Sequence, residues 1–466
     1  MVAGLVPLGL VVWVAGLLLI PVALGQTPSR KSQAKPLFTK EDPPTFTRDV
    51  APILQRRCQN CHRRGQVGPF ALGTYPQARK RAADIAEVAA GRQMPPWKPA
   101  PGVGPRIKHD QSLSTVEIAT LQAWAEAGAP RGEEKHMPPP PRFAEGWALG
   151  TPDLVIEPAE DFHLPASGPD TYRCFVLPTD LPKDTYVTAV EWRPGNTRIV
   201  HHMSAFLDLN GSGRMLDAAE PGPGYVNFSG PGFDPDGELG FWAAGNVPTH
   251  LPEGVGYMLP RKVDVILQIH YHPSGKPETD RTRIGLYFAR KPVKQVLHWN
   301  DASSYDFKLP AGQSDTETKG SWYVPVDVQA LAVAPHMHAL GRSIRMTVTD
   351  PRGKTRDLIH IPDWDPSWQN TYFFEKPIPL AKGTLVKVIA HFDNSAHPRN
   401  PSKPPRNVKY GHSVYDEMCV GYIAVVKKGQ DLTRPGERDD LFDIFQKQRI
   451  LKVQKMIFKL QQSQAR

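Results

Sequence analysis

The residues that could do chemistry in this chain are Cys58-Gln59-Asn60-Cys61-His62 and three histidine groups: His201-His202, His270-Tyr271-His272 and His336-Met337-His338. Two thiols separated by two residues and followed by an imidazole suit covalent haem attachment. The thiols form thioethers to the vinyl groups and leave His62 to ligate iron. Zinc would want a second pair of soft ligands close by, and the next cysteine is Cys174. The βαβ setting of a thioredoxin-type redox pair is also missing. A second axial ligand is expected from Met94, in a proline-pinned loop ending at Trp97, with His109 as the competitor.

The histidine groups read as ligands to a second kind of metal. Residues two apart on a strand share a face, so His336 and His338 can point at one ion from a single strand. Adjacent His201 and His202 cannot do so on a regular strand and need a strand end or a bulge. His270 closes the apolar run Val265–Ile269, with His272 just beyond it. Imidazoles without conveniently spaced cysteines or an obvious carboxylate partner suit copper or zinc. A thioether donor such as Met418 would select copper, because soft sulfur stabilises Cu(I).

The elements that must position these groups change character along the chain. At 466 residues, with 49 prolines and 38 glycines, the chain is expected to hold several domains rich in short strands and loops. Its net charge of +9 is dispersed, without an aromatic-interleaved basic run, so nucleic acid is not an expected partner. Residues 2–25 are apolar and uncharged, long enough to span a bilayer, and end in a small-x-small pattern before Gln26. A cleaved signal peptide and a retained anchor both remain open. Either places the rest outside the cytoplasm, periplasmic or anchored to the outer face of the membrane. Residues 26–44 read as a tether. Helical patterns follow at Val50, Ile53 and Leu54, over 76–91, and from the capping box at Ser114 and Glu117 through Ile118, Leu121 and Trp124. They make 45–131 a small all-α, cytochrome c-like domain. Residues 132–149 form a proline-rich linker.

Beyond the linker helical periodicity stops. Runs at 186–192, 263–271, 328–333, 343–348 and 385–391, separated by Pro, Gly, Asn and Asp, predict two antiparallel, jelly-roll-like β-sandwiches over 150–305 and 306–430. The tail, 431–466, carries an amphipathic helical stripe with lysines and arginines beside it. It fits packing on the protein's own surface or association with a membrane surface. Cys174 and Cys419 are the only thiols left to pair in an exported protein.

In combination and in order, these motifs resemble the copper type II, ascorbate-dependent monooxygenases. The resemblance rests on Asp170-Thr171-Tyr172-Arg173-Cys174, His201-His202, Leu267-Gln268-Ile269-His270-Tyr271, His336-x-His338-x-Leu340-Gly341 and Glu417-Met418-Cys419. It implies an electron-storing copper on His201, His202 and His270, with His272 a neighbour. It also implies an oxygen-binding copper on His336, His338 and Met418, near Tyr422. The expected activity is hydroxylation of a C–H bond in a small organic substrate by O2. Electrons would enter from an external donor through the haem, where the animal enzymes use ascorbate. Two departures bear on substrate: Ala334 stands where the peptide-hydroxylating enzymes carry a carboxylate-clamping arginine, and Val420 stands where they carry an asparagine. The usual peptide clamp is therefore incomplete, and peptide amidation is not to be assumed. The competing expectation is a non-catalytic haem and copper electron-transfer or copper-binding protein. A zinc hydrolase lacks its H-E-x-x-H motif.

Overall fold

The computed structural model describes residues 38–464 apart from 40, 145, 229, 412 and 414. The apolar run 2–25 and most of the expected tether lie outside the described residues. Among those described, no helix is long and apolar enough to cross a membrane.

The N-terminal part is helical where periodicity predicts it. A π-turn, Phe46–Val50, runs into the helix Ala51–Arg57, and Val50, Ile53 and Leu54 are buried together. The expected second helix is two, Tyr75–Lys80 and Ala82–Ala90, because Arg81 leaves helical geometry at φ −115°. Thr115–Glu126 starts at a full capping box: Glu117 N donates to Ser114 Oγ (3.1 Å), and Ser114 N donates to Glu117 Oε2 (2.8 Å). Its buried Leu121 and Trp124 close a core with Phe46 and Leu54.

The rest is β. The first sandwich packs a sheet containing Thr185–Arg193, Val255–Leu259 and Arg283–Phe288 against a second five-stranded sheet. That second sheet runs Tyr225–Val226, Thr171–Pro178, Asp264–Tyr271, Val200–Asp208, Gly237–Ala243. Its central strand, Asp264–Tyr271, is buried at every position, which is why it reads as a continuous apolar run. The second sandwich pairs the sheet His298–Ser304, Cys419–Lys427, Val328–His336, Tyr372–Leu380 with a sheet centred on Leu385–Phe392 and Gly341–Thr349. Because His298–Ser304 pairs with Cys419–Lys427, the second sandwich begins before residue 306. Ala332, Ala334, Ala424 and Trp299 of this sandwich belong to the first sandwich's core cluster, so the two units share one apolar interior.

The helical unit is docked on the sandwiches by more than the proline-rich linker. Residues 97–111 run as an arm over both sandwiches. Ile107 bridges to Phe374, Lys108 N donates to Phe373 O (2.7 Å), Ala100 N to His360 O (2.8 Å), and Gln111 Nε2 to Gly245 O (3.0 Å). Prolines and glycines disguise this arm as loop, yet its backbone groups find partners on the sheets. The linker is anchored as well, since Ala148 N and Leu149 N donate to the Glu191 carboxylate at 2.6 and 3.0 Å.

The C-terminal helix Leu441–Gln464 packs back on the protein at its start. Leu441 and Phe445 are buried in the second core, and Trp322 Nε1 donates to Gln448 Oε1 (3.0 Å). Ile450 and Leu451 are exposed. Cys174 and Cys419 are both buried free thiols in different sandwiches and are not paired.

Candidate metal centres

His201, His202 and His270 converge. One strand row reads Tyr172, His270, His202, Ala243, and a register shift between Val200 and His202 supplies the irregularity that adjacent ligands require. His270 Nδ1 lies 3.2 Å from His201 Nδ1 and 3.3 Å from His202 Nδ1. Two imidazole nitrogens on one ion at roughly 2.0–2.1 Å, with near-tetrahedral angles, would stand about 3.2–3.4 Å apart, so the donor set fits a single metal ion.

Asp170 fixes the tautomer. His270 Nε2–H donates to Asp170 Oδ2 and His272 Nδ1 to Asp170 Oδ1, each at 2.7 Å, which leaves the His270 lone pair on Nδ1. Burial works against the Asp170 carboxylate, but the bonds from His270 and His272 outweigh it and hold its pKa at about 2. His272 is thus an outer partner of the carboxylate. Tyr172 stacks on His270, with centroids 4.2 Å apart and planes 5° apart. Burial, reinforced by His270, lowers the His201 pKa to about 4. His202 is driven well down by burial, then by His270, His201, His336 and His338. Neutral imidazoles are the ligand form, and the last two causes show that the second histidine pair is close.

His336 and His338 are not on one strand as their spacing suggested. The strand Val328–His336 ends at the first, and His338 lies beyond it, leading into the turn at residues 339–340 before Gly341. Buried Glu417 holds that turn, accepting from His338 N (2.8 Å), Leu340 N (2.6 Å) and Met418 N (3.2 Å). Trp364 Nε1 donates to His338 O (3.1 Å). A side chain at Gly341 would meet Trp364 and Met337 at 2.7–2.8 Å, so only glycine allows this packing. The imidazole centroids of His336 and His338 are 5.2 Å apart. His336 Nδ1 bonds Gln369 Oε1 and His338 Nδ1 bonds Asp416 O (3.0 Å), so in the neutral rings Nε2 carries the lone pair. Buried Met418 lines the same cavity, so two imidazoles and a thioether are available together, a donor set that fits copper.

Both clusters face one cavity of about 1490 Å³ between the sandwiches. Phe228 spans them, 4.4 Å from Tyr172 and 5.1 Å from His338 by ring centroids. Tyr422 also lines this cavity, paired with Ala334 across the strands.

At the N-terminal motif, burial, then the Cys61 charge, pushes the Cys58 thiol up to about 12, and burial raises Cys61 too. Redox C-x-x-C pairs rely on a depressed thiol pKa, and burial shifts these thiols the other way. His62 Nδ1–H donates to Phe70 O (3.1 Å), which puts its lone pair on Nε2, and burial keeps the ring neutral. The donor set and tautomer fit covalent haem with an imidazole axial ligand. Of the expected second ligands, Met94 is exposed and His109 Nε2 contacts Thr249 Oγ1 (2.9 Å). A Cβ at Gly245 would stand 3.7 Å from Cys61 Sγ, so the motif abuts the first sandwich two residues beyond Ala243, the register partner of His202.

Sequence reasoning did not assign Asp170, Gln369, Glu417 or Phe228 a role. Asp170 and Glu417 lay inside quoted motifs, but their partners are 100 and 77–79 residues away.

Residues 310–457 match the family model of the copper type II ascorbate-dependent monooxygenase C-terminal domain. Tyramine beta-hydroxylase of Caenorhabditis briggsae is 23% identical over 286 residues, 54% of this chain and 45% of that protein. Peptidyl-glycine alpha-amidating monooxygenase B of Xenopus laevis is 26% identical over 295 residues, 59% of this chain and 31% of that protein. The chain thus spans less than half the length of these curated relatives. The major capsid protein P2 of bacteriophage PM2 is 11% identical with a TM-score of 0.23, covering 59% of this chain and 99% of that one, a likeness too loose to bear on the fold.

Proposed function

We propose that this chain is a two-copper monooxygenase that hydroxylates a C–H bond of a small organic substrate with O2. The observation that carries this is the pair of donor sets facing one cavity, one all-imidazole and one with a thioether. A protein that only stored copper would need one set. His201, His202 and His270 would hold one copper, and His336, His338 and Met418 the other. When bound, the coppers supply one-electron redox cycling and O2 activation. The chain's own residues do the rest. Asp170 and Gln369 orient imidazoles, and Glu417 holds the backbone around His338 and Met418. Tyr422 borders the substrate space, and buried Ala334, its strand partner, stands where the resemblance places the arginine associated with peptide carboxylates.

Electron entry through a haem on Cys58 and Cys61, ligated by His62, is part of the proposal. The contact of Cys61 with Gly245, close in sequence to the register partner of His202, supports a short route to the first copper. Export to the periplasm or the outer membrane face is proposed from the apolar run 2–25 and the attachment motif, with an external reductant as donor. The test replaces Cys58 and Cys61 with alanine and follows O2 uptake over a substrate panel. Turnover driven by the external donor should vanish while chemically reduced turnover persists. If both persist, the haem route is wrong. If copper-reconstituted protein consumes no O2 with any reductant and substrate, the monooxygenase reading falls.

A further inference from the structure

The cavity between the sandwiches continues away from the histidines, and strand register gives its dimensions. On one wall, His336, Val420 and Ser303 form a row, then Ala334, Tyr422 and Asp301, then Ala332, Ala424 and Trp299. On the facing wall His202 pairs with Ala243, Ser204 with Phe241, and Phe206 with Glu238. Four residues along a strand span about 13 Å, so Trp299 and Glu238 both lie roughly that far from the ligand rows. Phe241 joins the walls, 5.2 Å from Tyr422 and 5.9 Å from Trp299 by ring centroids.

The slot therefore runs from two histidine clusters, past aromatic sides, to a polar end. There Glu238 Oε2 is buried and has no hydrogen-bond partner among the described residues, while the Trp299 indole N–H faces the Tyr257 hydroxyl, which Glu238 also approaches. A buried carboxylate oxygen left unbonded is costly, and proteins keep such groups chiefly where a ligand completes them. Charge points the same way. The chain as a whole carries +9, yet this cavity is lined by seven Asp and Glu side chains against one arginine, Arg449, which pairs with Asp234 at 3.5 Å. Such a cleft attracts cations.

We propose that Glu238 is the anchor for the terminal ammonium of an elongated, mainly apolar amine, which holds a carbon roughly 10 Å away at the His336, His338 and Met418 end. This rests on the monooxygenase reading for the fate of that carbon, but not for binding. The separation sets the expected ligand apart from short arylalkylamines, whose charge would lie beside the reacting carbon. Trp299 and Tyr422 form the apolar sides, and Glu238 accepts from the ammonium.

The test is titration calorimetry on the full-length protein, metal-free and copper-reconstituted, with octylamine, octan-1-ol and 2-phenylethylamine. Octylammonium should bind about 10- to 100-fold tighter than octanol and tighter than 2-phenylethylammonium, and Glu238→Gln should erase the preference over octanol. Glu238→Asp, which draws the carboxylate back by one methylene, should move the optimum to nonylamine or decylamine and serves if E238Q fails to fold. Equal binding of octylamine and octanol, or a preference that survives E238Q, overturns the proposal. Two bound coppers with no amine preference would sink this subsite alone. An amine preference lost in E238Q without copper binding would sink the monooxygenase reading alone.

Discussion

Asp170→Asn isolates what a carboxylate outside the ligand set does for the first metal centre. Asp170 accepts from His270 Nε2 and His272 Nδ1 at 2.7 Å each, and with its pKa held at about 2 it is fully ionised at neutral pH. It fixes the His270 tautomer and makes Nδ1 a better donor. Loss of such an outer partner typically weakens metal binding by about 10- to 100-fold, or roughly 1.4–2.7 kcal/mol. Asparagine keeps one acceptor but not the charge, so D170N should fall near tenfold and Asp170→Ala nearer a hundredfold. The assay is anaerobic Cu(I) competition against a chromophoric chelator. A Met418→Leu, His336→Ala background confines the measurement to the first site. His272→Ala keeps the His270–Asp170 bond and should have the smaller effect. Unchanged affinity in D170N and D170A, or weakening confined to the second site of an otherwise native chain, would refute the reasoning.

Two further outcomes follow from buried carboxylates. Glu417 accepts three backbone N–H groups, and the amide in Glu417→Gln turns one acceptor into a donor, leaving at least one N–H unpaired. A loss of about 1–3 kcal/mol in stability is expected by denaturant titration, together with weaker Cu(I) binding at the Met418 site and an unaffected first site. Burial raises the Glu238 pKa from its ordinary 4.5 to about 7, with Arg449 opposing and Asp301 and Asp234 adding to it. A raised folded-state pKa contributes stability that is present below the unfolded value and lost as pH rises through about 7. Glu238→Gln should therefore stabilise the ligand-free protein at pH 8 by on the order of 2 kcal/mol, after discounting for its partial opening to the cavity, and change little at pH 4.5. Identical differences at the two pH values would contradict this.

How much of this was legible in the chain depended on how local each signal is. Val50, Ile53, Leu54, Leu121 and Trp124 announce helices because their spacing is set within a single turn or two. The all-buried strand Asp264–Tyr271 reads directly as an apolar run. The ligand candidates were visible as residue types, and adjacency at His201-His202 already demanded the bulge that the sheet contains. What depends on pairing across many residues was not visible. The Asp170–His270 bond, the Glu417 clamp and the approach of both Glu238 and Trp299 to Tyr257 arise from tertiary pairing. Strand periodicity also overreached at His338, since nothing local says that the strand stops at His336. Residues 97–111 read as loop because prolines and glycines conceal an arm that bonds to both sandwiches.

The central claim is that two unlike copper sites face one cavity. Copper K-edge X-ray absorption on the reduced, copper-reconstituted protein, with metal counted per chain in the same sample, tests it most directly. Two coppers per chain should bind, with a sulfur scatterer that disappears in Met418→Leu while the imidazole signal of His201, His202 and His270 persists. One copper or none per chain, or two with no sulfur sensitive to Met418, would contradict the account.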